Sequence, residues 1–208
     1  MTIAVNLNAN YVVSVEPTVT LNASYVVIVE PTVEPLTLNE LKSRLRITAC
    51  DFDSELTDLI KAGRKQVELE SHRKLVTQTV KLNMDRFPAG DTIELRILPV
   101  ASVTSVEYID EDLATQTYAS SRYTTDLTGE PARIVLLENE SWEDTEAVQP
   151  KAVTVTFVAG NALASVPVEA KLAVVEWCRM HWGDCDGNDK KYKNLISTLA
   201  WSGYWKAM

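Results

Sequence analysis

The chain has 208 residues, of which 46% are apolar and 24% charged, and its net charge is −9. This composition is ordinary for a globular protein that buries a core, and it excludes a wholly disordered chain. No stretch approaches the roughly 18 consecutive apolar residues of a membrane span, so we expect no membrane association. No basic cluster that would release counterions from phosphates is present, which argues against tight nucleic-acid binding.

The negative charge is concentrated in the middle of the chain. Residues 75–160 carry fourteen acidic and six basic side chains, a net charge of −8, whereas the segments 36–74 and 161–208 each carry +1. The first basic residue is Lys42, so the N-terminus lacks the basic region of a signal peptide and we expect synthesis in the cytoplasm. Three unevenly spaced cysteines favour reduced thiols over a disulfide framework.

The first predicted feature is a tandem repeat. Residues 7–19 (LNANYVVSVEPTV) recur as residues 21–33 (LNASYVVIVEPTV), with eleven of thirteen positions identical and a period of 14. Each unit is a β-branched run that a Glu-Pro pair closes, which predicts an extended strand. Two interpretations stay open for this N-terminal arm, residues 1–35. It forms a hairpin or partly ordered appendage, or it adds strands to a neighbouring subunit through Tyr11, Val13, Tyr25 and Val27.

Two helices are predicted next. Thr37 and Glu40 form a capping box before an apolar stripe that begins at Leu38. A second helix begins near Asp51 or Asp53, either of which can cap it, and continues with helical spacing to about residue 71. We interpret its polar residues as a solvated face, with a subunit contact as the alternative: Lys61, Arg64, Lys65, Glu68 and Glu70.

From residue 76 the apolar period changes from helical to two, which predicts about six antiparallel strands as far as residue 158. Two further helices follow, one after Pro167 with an apolar stripe from Val168 to Trp182, and one from about Asp189 to Leu199. The fold class is therefore α+β. A helical domain of about four helices (36–74 and 161–208) carries an inserted small antiparallel β-domain (75–160) and the N-terminal β-rich arm (1–35).

Catalytic motifs are absent from the sequence. It has no glycine-rich phosphate loop and no Gly-x-Ser-x-Gly turn, and its acidic runs lack the pattern of a calcium loop. Cys178, His181 and Cys185 have ligand-like spacing on one helix, but no second Cys/His pair exists to complete a zinc site. We therefore expect Cys178 to lie in the core, and we expect a protein that is not an enzyme and has no metal or other cofactor.

An aromatic C-terminal tail follows the last helix. Trp201, Tyr204 and Trp205 lie within eight residues of the chain end, next to Leu199. They fold back onto the core, or they anchor the chain in a pocket of a partner, because Trp and Tyr dominate interface hot spots.

Several segments together resemble the head–tail connector (adaptor) proteins of tailed double-stranded-DNA phages. They lie in the family's order across residues 36–200: 38–46 (LNELKSRLR), 51–55 (DFDSE), 75–82 (LVTQTVKL), 99–108 (PVASVTSVEY), 129–134 (GEPARI), 153–160 (VTVTFVAG) and 166–169 (VPVE). The resemblance implies a helical bundle with an inserted β-domain. It also implies a virion protein that forms a ring of about a dozen subunits beneath the portal and leaves a channel for DNA.

The resemblance makes the portal protein one partner, a tail-side stopper or tail protein another, and DNA a passenger that is not specifically bound. By position it makes Leu199, Trp201, Tyr204 and Trp205 portal-binding candidates, while the duplicated arm departs from the family pattern. Two alternatives remain from the residues alone. One is a non-enzymatic module that binds a protein or a glycan, and the other is a hydrolase with an unrecognised pair of carboxylates.

Overall fold

The computed structural model describes residues 23–48, 50–145, 150–182 and 189–199. These residues form four α-helices and eight β-strands, which confirms the predicted α+β class. In chain order the elements are β1 (Ala23–Val29), α1 (Leu38–Leu45), α2 (Asp53–Ser71), β2 (Gln78–Met84), β3 (Thr92–Leu95), β4 (Val100–Ile109), β5 (Thr115–Thr117), β6 (Tyr123–Asp126), β7 (Ala132–Leu136), β8 (Val153–Ala159), α3 (Val168–His181) and α4 (Asp189–Leu199).

The strands form two antiparallel sheets. Five strands pair in the order β1-β2-β8-β4-β5, and three pair in the order β3-β7-β6. Alternate residues of β2 are buried, as a period of two requires when one face of a strand packs on a core. Both sheets contribute to one apolar core, in which Phe157 of β8 and Ile134 of β7 are fully buried.

The helices bury a second core. Leu41 of α1, Leu56 and Val67 of α2, and Val174 and Cys178 of α3 have no or almost no exposed surface. The predicted core position of Cys178 is confirmed, and burial raises the pKa of its thiol to about 12. The two predicted helical halves of the chain therefore pack on each other, as amphipathic helices must in order to hide their apolar stripes.

Gly160 joins the sheet to the helical half. Its φ of +106° lies where side chains are strongly disfavoured, and a Cβ at this position would stand 2.3 Å from the carbonyl oxygen of Val76. The backbone N–H of Gly160 donates to the oxygen of Pro99, and the side chain of Asn161 donates to the oxygen of Leu75. This close backbone approach fixes where β8 ends and the chain turns towards α3.

The helix starts were predicted with mixed success. Thr37 and Glu40 form the predicted capping box at α1, with reciprocal bonds of 3.2 Å and 2.8 Å between side chain and backbone. The predicted cap of α2 was wrong, because Phe52 is its N-cap and has no side-chain oxygen to accept a bond from the first turn. Asp53 is instead the first helical residue, and its carboxylate accepts a 2.6 Å bond from Lys42.

Candidate assembly surfaces

The strand β1 belongs to the second repeat unit and lies at the edge of the five-stranded sheet. Tyr25 is half-buried, and its hydroxyl accepts a 3.0 Å bond from the backbone N–H of Arg96 and donates to the oxygen of Glu94 at 3.5 Å. Its ring meets Phe157 edge to face, with ring centres 6.4 Å apart. Burial raises the pKa of Tyr25. These contacts seat β1 over the gap between the two sheets.

Arg64 of α2 fastens the segment that follows β1. Its side chain is 3% exposed and contacts three carboxylates, those of Glu34 at 2.8 Å, Glu30 at 3.1 Å and Glu68 at 3.1 Å. Burial by itself lowers the pKa of Arg64, but Glu68 and Glu34 outweigh that effect and raise the pKa above its ordinary value. The predicted solvated face of α2 is therefore wrong at Arg64 and Glu68, which are both buried.

Glu30 closes the repeat unit and is also an ion-pair partner. Lys65 contacts one of its oxygens at 3.0 Å and Arg64 contacts the other at 3.1 Å. Hydrogen bonds from Lys65, which has the larger effect, and from Arg64 lower the pKa of Glu30. The Glu-Pro pair that ends the strand in sequence thus also ties the strand to the helical half.

The outer side of β1 is apolar and exposed. Val26 and Ile28, which alternate with the half-buried Tyr25 and Val27, are 47% and 46% exposed, and Val29 is 53% exposed. Apolar side chains on an edge strand favour pairing with another chain unless something covers them. Beside this strand lies a cleft of about 670 Å³, whose apolar lining comes from Tyr25, Leu82, Met84, Pro88, Ile93 and Ile97.

The arm residues predicted to contact another subunit are placed as follows. Tyr25 and Val27 both pack against the core of the chain's own sheets. Tyr11 and Val13 lie outside the described residues. The inter-subunit role of these four residues stays a prediction.

The β-domain carries an acidic end. Asp110, Glu111, Asp112, Glu143 and Asp144 surround an open cleft of about 310 Å³. The backbone N–H groups of Asp112 and Ala114 donate to Asp110 at 3.0 Å and 2.9 Å, so part of this charge shapes a turn.

A single arginine organises the neighbouring acids. Arg122 binds both Glu140 and Glu143, and its guanidinium lies 4.7 Å from the centre of the Tyr118 ring. The stacked rings of Phe87 and Trp142, with centres 4.7 Å apart, hold the same loop against the sheets. These contacts therefore fix the shape of the acidic end.

The helix α4 leads to the aromatic tail. Its Tyr192 and Ile196 are buried in the helical core, and Leu199 is half-buried against that core. Lys191 pairs with the buried Glu176 of α3 at 3.1 Å. Leu199, a predicted portal contact, is thus the last described residue of a docked helix. Trp201, Tyr204 and Trp205 lie outside the described residues, as does Cys185.

The described ranges lack two further kinds of feature. No group of three or more His, Cys, Asp and Glu side chains there is arranged to hold a metal ion. None of the described helices combines the length and the apolar character that a membrane crossing requires.

Glu30 and Glu34 are the site residues that the sequence analysis missed. The sequence does indicate that their partner, Arg64, is buried. Arg64 lies four residues after Ile60 and three before Val67, which places it on the apolar side of α2. A buried arginine needs carboxylates, and the arm holds only three acids.

Comparison with protein-family models and with curated protein sequences found no match. Comparison with solved structures found chains of similar fold. One belongs to the neck of an empty GTA particle computed with C6 symmetry, with a TM-score of 0.65, 21% identity, and coverage of 87% of this chain and 95% of that chain. A second belongs to the virion of a native gene transfer agent (GTA) particle, with a TM-score of 0.65, 21% identity, and coverage of 85% and 94%.

A third similar chain belongs to the neck of a native GTA particle computed with C12 symmetry. Its TM-score is 0.62 and its identity 20%, with coverage of 84% of this chain and 94% of that chain. In all three comparisons the likeness covers 84–87% of this chain, which is more than the helical half or the β-domain alone contains, so it includes parts of both. The chain is thus similar in fold to chains of gene transfer agent particles, two of them from structures of the neck.

Proposed function

We propose that this chain is a non-enzymatic structural protein of the neck of a phage-like particle. In this role it is a head–tail connector that forms a ring beneath the portal and links the capsid to the tail. The observation that carries the proposal is the whole-fold likeness to chains of GTA neck structures. The connector-like segments of the sequence support the same role independently of the fold.

The ring is proposed from symmetry. The similar chains come from neck structures that were computed with C6 and C12 symmetry, which are cyclic arrangements of identical units. A ring with cyclic symmetry higher than C2 requires two different complementary surfaces on each subunit, because every contact is head to tail. Such contacts can use the exposed edge of β1 and the exposed residues of the helical half. We propose a ring of about a dozen copies.

The aromatic tail is proposed as the portal anchor. The helix α4 is fixed to the helical core as far as Leu199, so it delivers residues 200–208 from a defined point on the surface. Trp201, Tyr204 and Trp205 supply the large amphipathic side chains that dominate binding hot spots. The tail-side partner would bind elsewhere on the ring.

The acidic β-domain is proposed to face the DNA path. A net charge of −8 on residues 75–160 repels the phosphate backbone and keeps passing DNA from adhering to the channel wall. A neck structure in which residues 75–160 lie wholly outside the channel would overturn this part of the proposal.

Truncation of the tail tests the anchor. We expect the chain without residues 200–208 to lose binding to the portal protein of the same particle by more than about tenfold, because hot-spot aromatics each contribute about 2 kcal/mol or more. Native mass spectrometry of the two proteins together measures binding and ring size at once.

The control for this experiment is the thermal unfolding of the truncated chain. It should be unchanged, because the proposed anchor acts in the portal and the truncation leaves α4 intact as far as Leu199. Undiminished portal binding would remove the anchor role. If the full-length chain associated neither with itself nor with the portal, the proposed function itself would fail.

A further inference from the structure

We propose that the first repeat unit, residues 7–19, of one subunit adds as a strand to the free edge of β1 in the neighbouring subunit. The inference rests on the proposed ring and names a contact that joins its subunits. It assigns an occupant to the edge of β1 and to the cleft beside it, which the described part of the chain leaves uncovered.

The acceptor is the outer edge of β1. Within the described ranges β1 ends the five-stranded sheet and pairs only with β2, so its other edge offers backbone donors and acceptors to a further strand. Extended segments bind such edges through main-chain hydrogen bonds, and alternate side chains then supply specificity. The strand is held firmly from behind, because Tyr25 bonds to the backbone of Arg96 and Glu30 bonds to α2.

The cleft supplies the specificity. It has a volume of about 670 Å³, it includes Ala23 and Tyr25 of β1, and β3 forms its opposite side through Thr92, Ile93 and Glu94. That volume lies in the range that encloses a drug-sized molecule, so it accommodates a Tyr and a Val side chain. A strand added to β1 would point alternate residues towards this cleft, as β1 itself points Tyr25 and Val27 towards the core.

The donor has the matching pattern. The period of 14 places Tyr11 at the position of Tyr25, Val13 at that of Val27, and Val12 at that of Val26. With Tyr11 and Val13 directed to the cleft, Val12 comes to lie on the outer face beside Val26. β-Branched residues that are neighbours on adjacent strands pack well against each other and favour the sheet.

The length of the arm favours a neighbouring subunit. Fourteen extended residues span about 46 Å at roughly 3.3 Å per residue. A globular chain of this length has a radius of gyration of about 17 Å and hence a diameter of roughly 43 Å. An arm whose second unit forms β1 of its own subunit therefore reaches the same place on the next subunit.

The connection between the units disfavours a hairpin within one chain. Residues 17–22 (PTVTLN) contain no glycine and none of the Asn-Gly or Asp-Gly pairs that build tight hairpin turns. Thr18, Val19 and Thr20 are β-branched and favour an extended backbone. The sequence of this connection therefore favours an arm that leaves β1 over one that folds back on it.

Disulfide trapping in the assembled complex with the portal protein tests the proposal. One chain carries Val12→Cys and an affinity tag, and the other carries Val26→Cys without a tag. Both also carry Cys50→Ser and Cys185→Ser. The buried Cys178 stays, because its thiol is inaccessible and burial raises its pKa to about 12. Tagged chains with Asn10→Cys or Ser14→Cys sample the adjacent registers.

We expect a disulfide-linked heterodimer after mild oxidation. The matched control replaces Val26→Cys by Thr104→Cys, an exposed position on β4. The heterodimer should exceed this control by more than about tenfold, because docking raises the effective concentration of the two thiols. A single chain that carries both Val12→Cys and Val26→Cys should form the same bond between chains.

Two results would overturn the inference while the ring remains visible by electron microscopy. One is the absence of a heterodimer from all three donor positions, and the other is a disulfide formed within the doubly substituted chain. If electron microscopy shows no ring before oxidation, the proposed function fails, and this inference fails with it.

Discussion

Arg64 is the side chain at which the N-terminal strand and the helical half meet. It is buried, and it bonds to Glu30 and Glu34, which follow β1, and to Glu68 on its own helix. Glu68 also accepts bonds from Lys74 at 3.1 Å and from Gln78 at 2.6 Å. A buried charge is tolerated only where such partners replace the water that it loses.

Replacement of this arginine should destabilise the protein strongly. We expect Arg64→Met to lower the free energy of unfolding by about 3 kcal/mol, because it leaves the buried Glu68 with fewer partners. The matched control is Lys61→Met on the same helix, whose exposed pair with Asp58 at 3.5 Å contributes less than about 1 kcal/mol. Urea unfolding of both variants makes the comparison.

A second variant separates charge burial from lost packing. We expect Arg64→Met combined with Glu68→Gln to be more stable than Arg64→Met alone, since the added change removes a buried charge that has lost one of its two cationic partners and keeps only Lys74. Equal losses for Arg64→Met and Lys61→Met would show that the cluster around Arg64 does not hold the structure together.

Stability should fall in acid. The pKa of Asp126 is lowered to about 2 from 3.8, chiefly by its bond to Arg133, and the pKa of Glu30 lies below 4.5 because of Lys65 and Arg64. Carboxylates with a lowered folded-state pKa stabilise the fold above their unfolded-state pKa, and this contribution is lost as the pH falls through the folded value. The free energy of unfolding should therefore decrease from about pH 4.5 towards pH 2.

Urea titrations at several pH values measure this slope. Asp126→Asn should flatten it, because this residue then binds no proton in either state. A slope that is identical in the variant and the parent chain would contradict the assignment to Asp126.

At the scale of elements, the close contact between α2 and α3 depends on one glycine. A Cβ at Gly63 would lie 3.0 Å from the Trp177 ring and 3.3 Å from both the Cys178 sulfur and Val174. The absence of a side chain lets the two helices approach there, even though glycine costs about 1 kcal/mol in a helix interior.

Larger residues at this position should push the helices apart. We expect Gly63→Val to destabilise the protein by about 1–3 kcal/mol through overpacking. Gly63→Ala should be close to neutral, because the gain in helix propensity opposes a tight contact. Gly90→Val is the control, since a Cβ there meets nothing within 4 Å. Thermal unfolding compares the stability of these variants. A Gly63→Val chain as stable as the Gly90→Val control would show that α2 and α3 are not tightly packed at Gly63.

Elements whose signals are local were predictable from the sequence. The capping box of α1, the bounds of α4 and the alternation in β2 follow from hydrogen-bonding and periodicity rules that act over a few residues. The failures concern contacts between distant parts of the chain. Arg64 and Glu68 are polar by composition, and only the placement of Glu30 and Glu34 next to α2 makes their burial favourable.

The start of α3 shows the same limit. Val168 fits the predicted apolar stripe by spacing, yet it is 63% exposed because it lies in the first turn, beyond the edge of the helical core. Periodicity shows which face of a helix is apolar, but not how far along the helix the partner extends. Such exposed apolar ends are candidates for contacts with other subunits.

The whole molecule has two apolar cores, and each holds elements that the proposed assembly uses. The helical core holds α4 as far as Leu199, and the core between the sheets holds β1 and carries the acidic end. The sequence predicted this division through its change of apolar period. The assembly surfaces were only partly predictable, because an exposed edge strand is recognised by what pairs with it, and a single sequence does not contain that information.

Cryo-electron microscopy of the assembled particle tests whether this chain is a neck protein. We expect a closed ring of this chain between portal and tail, with residues 200–208 against the portal and an additional strand at the edge of β1. A particle whose neck contains no copy of this chain, or contains it outside a closed ring, would show that the neck assignment is wrong.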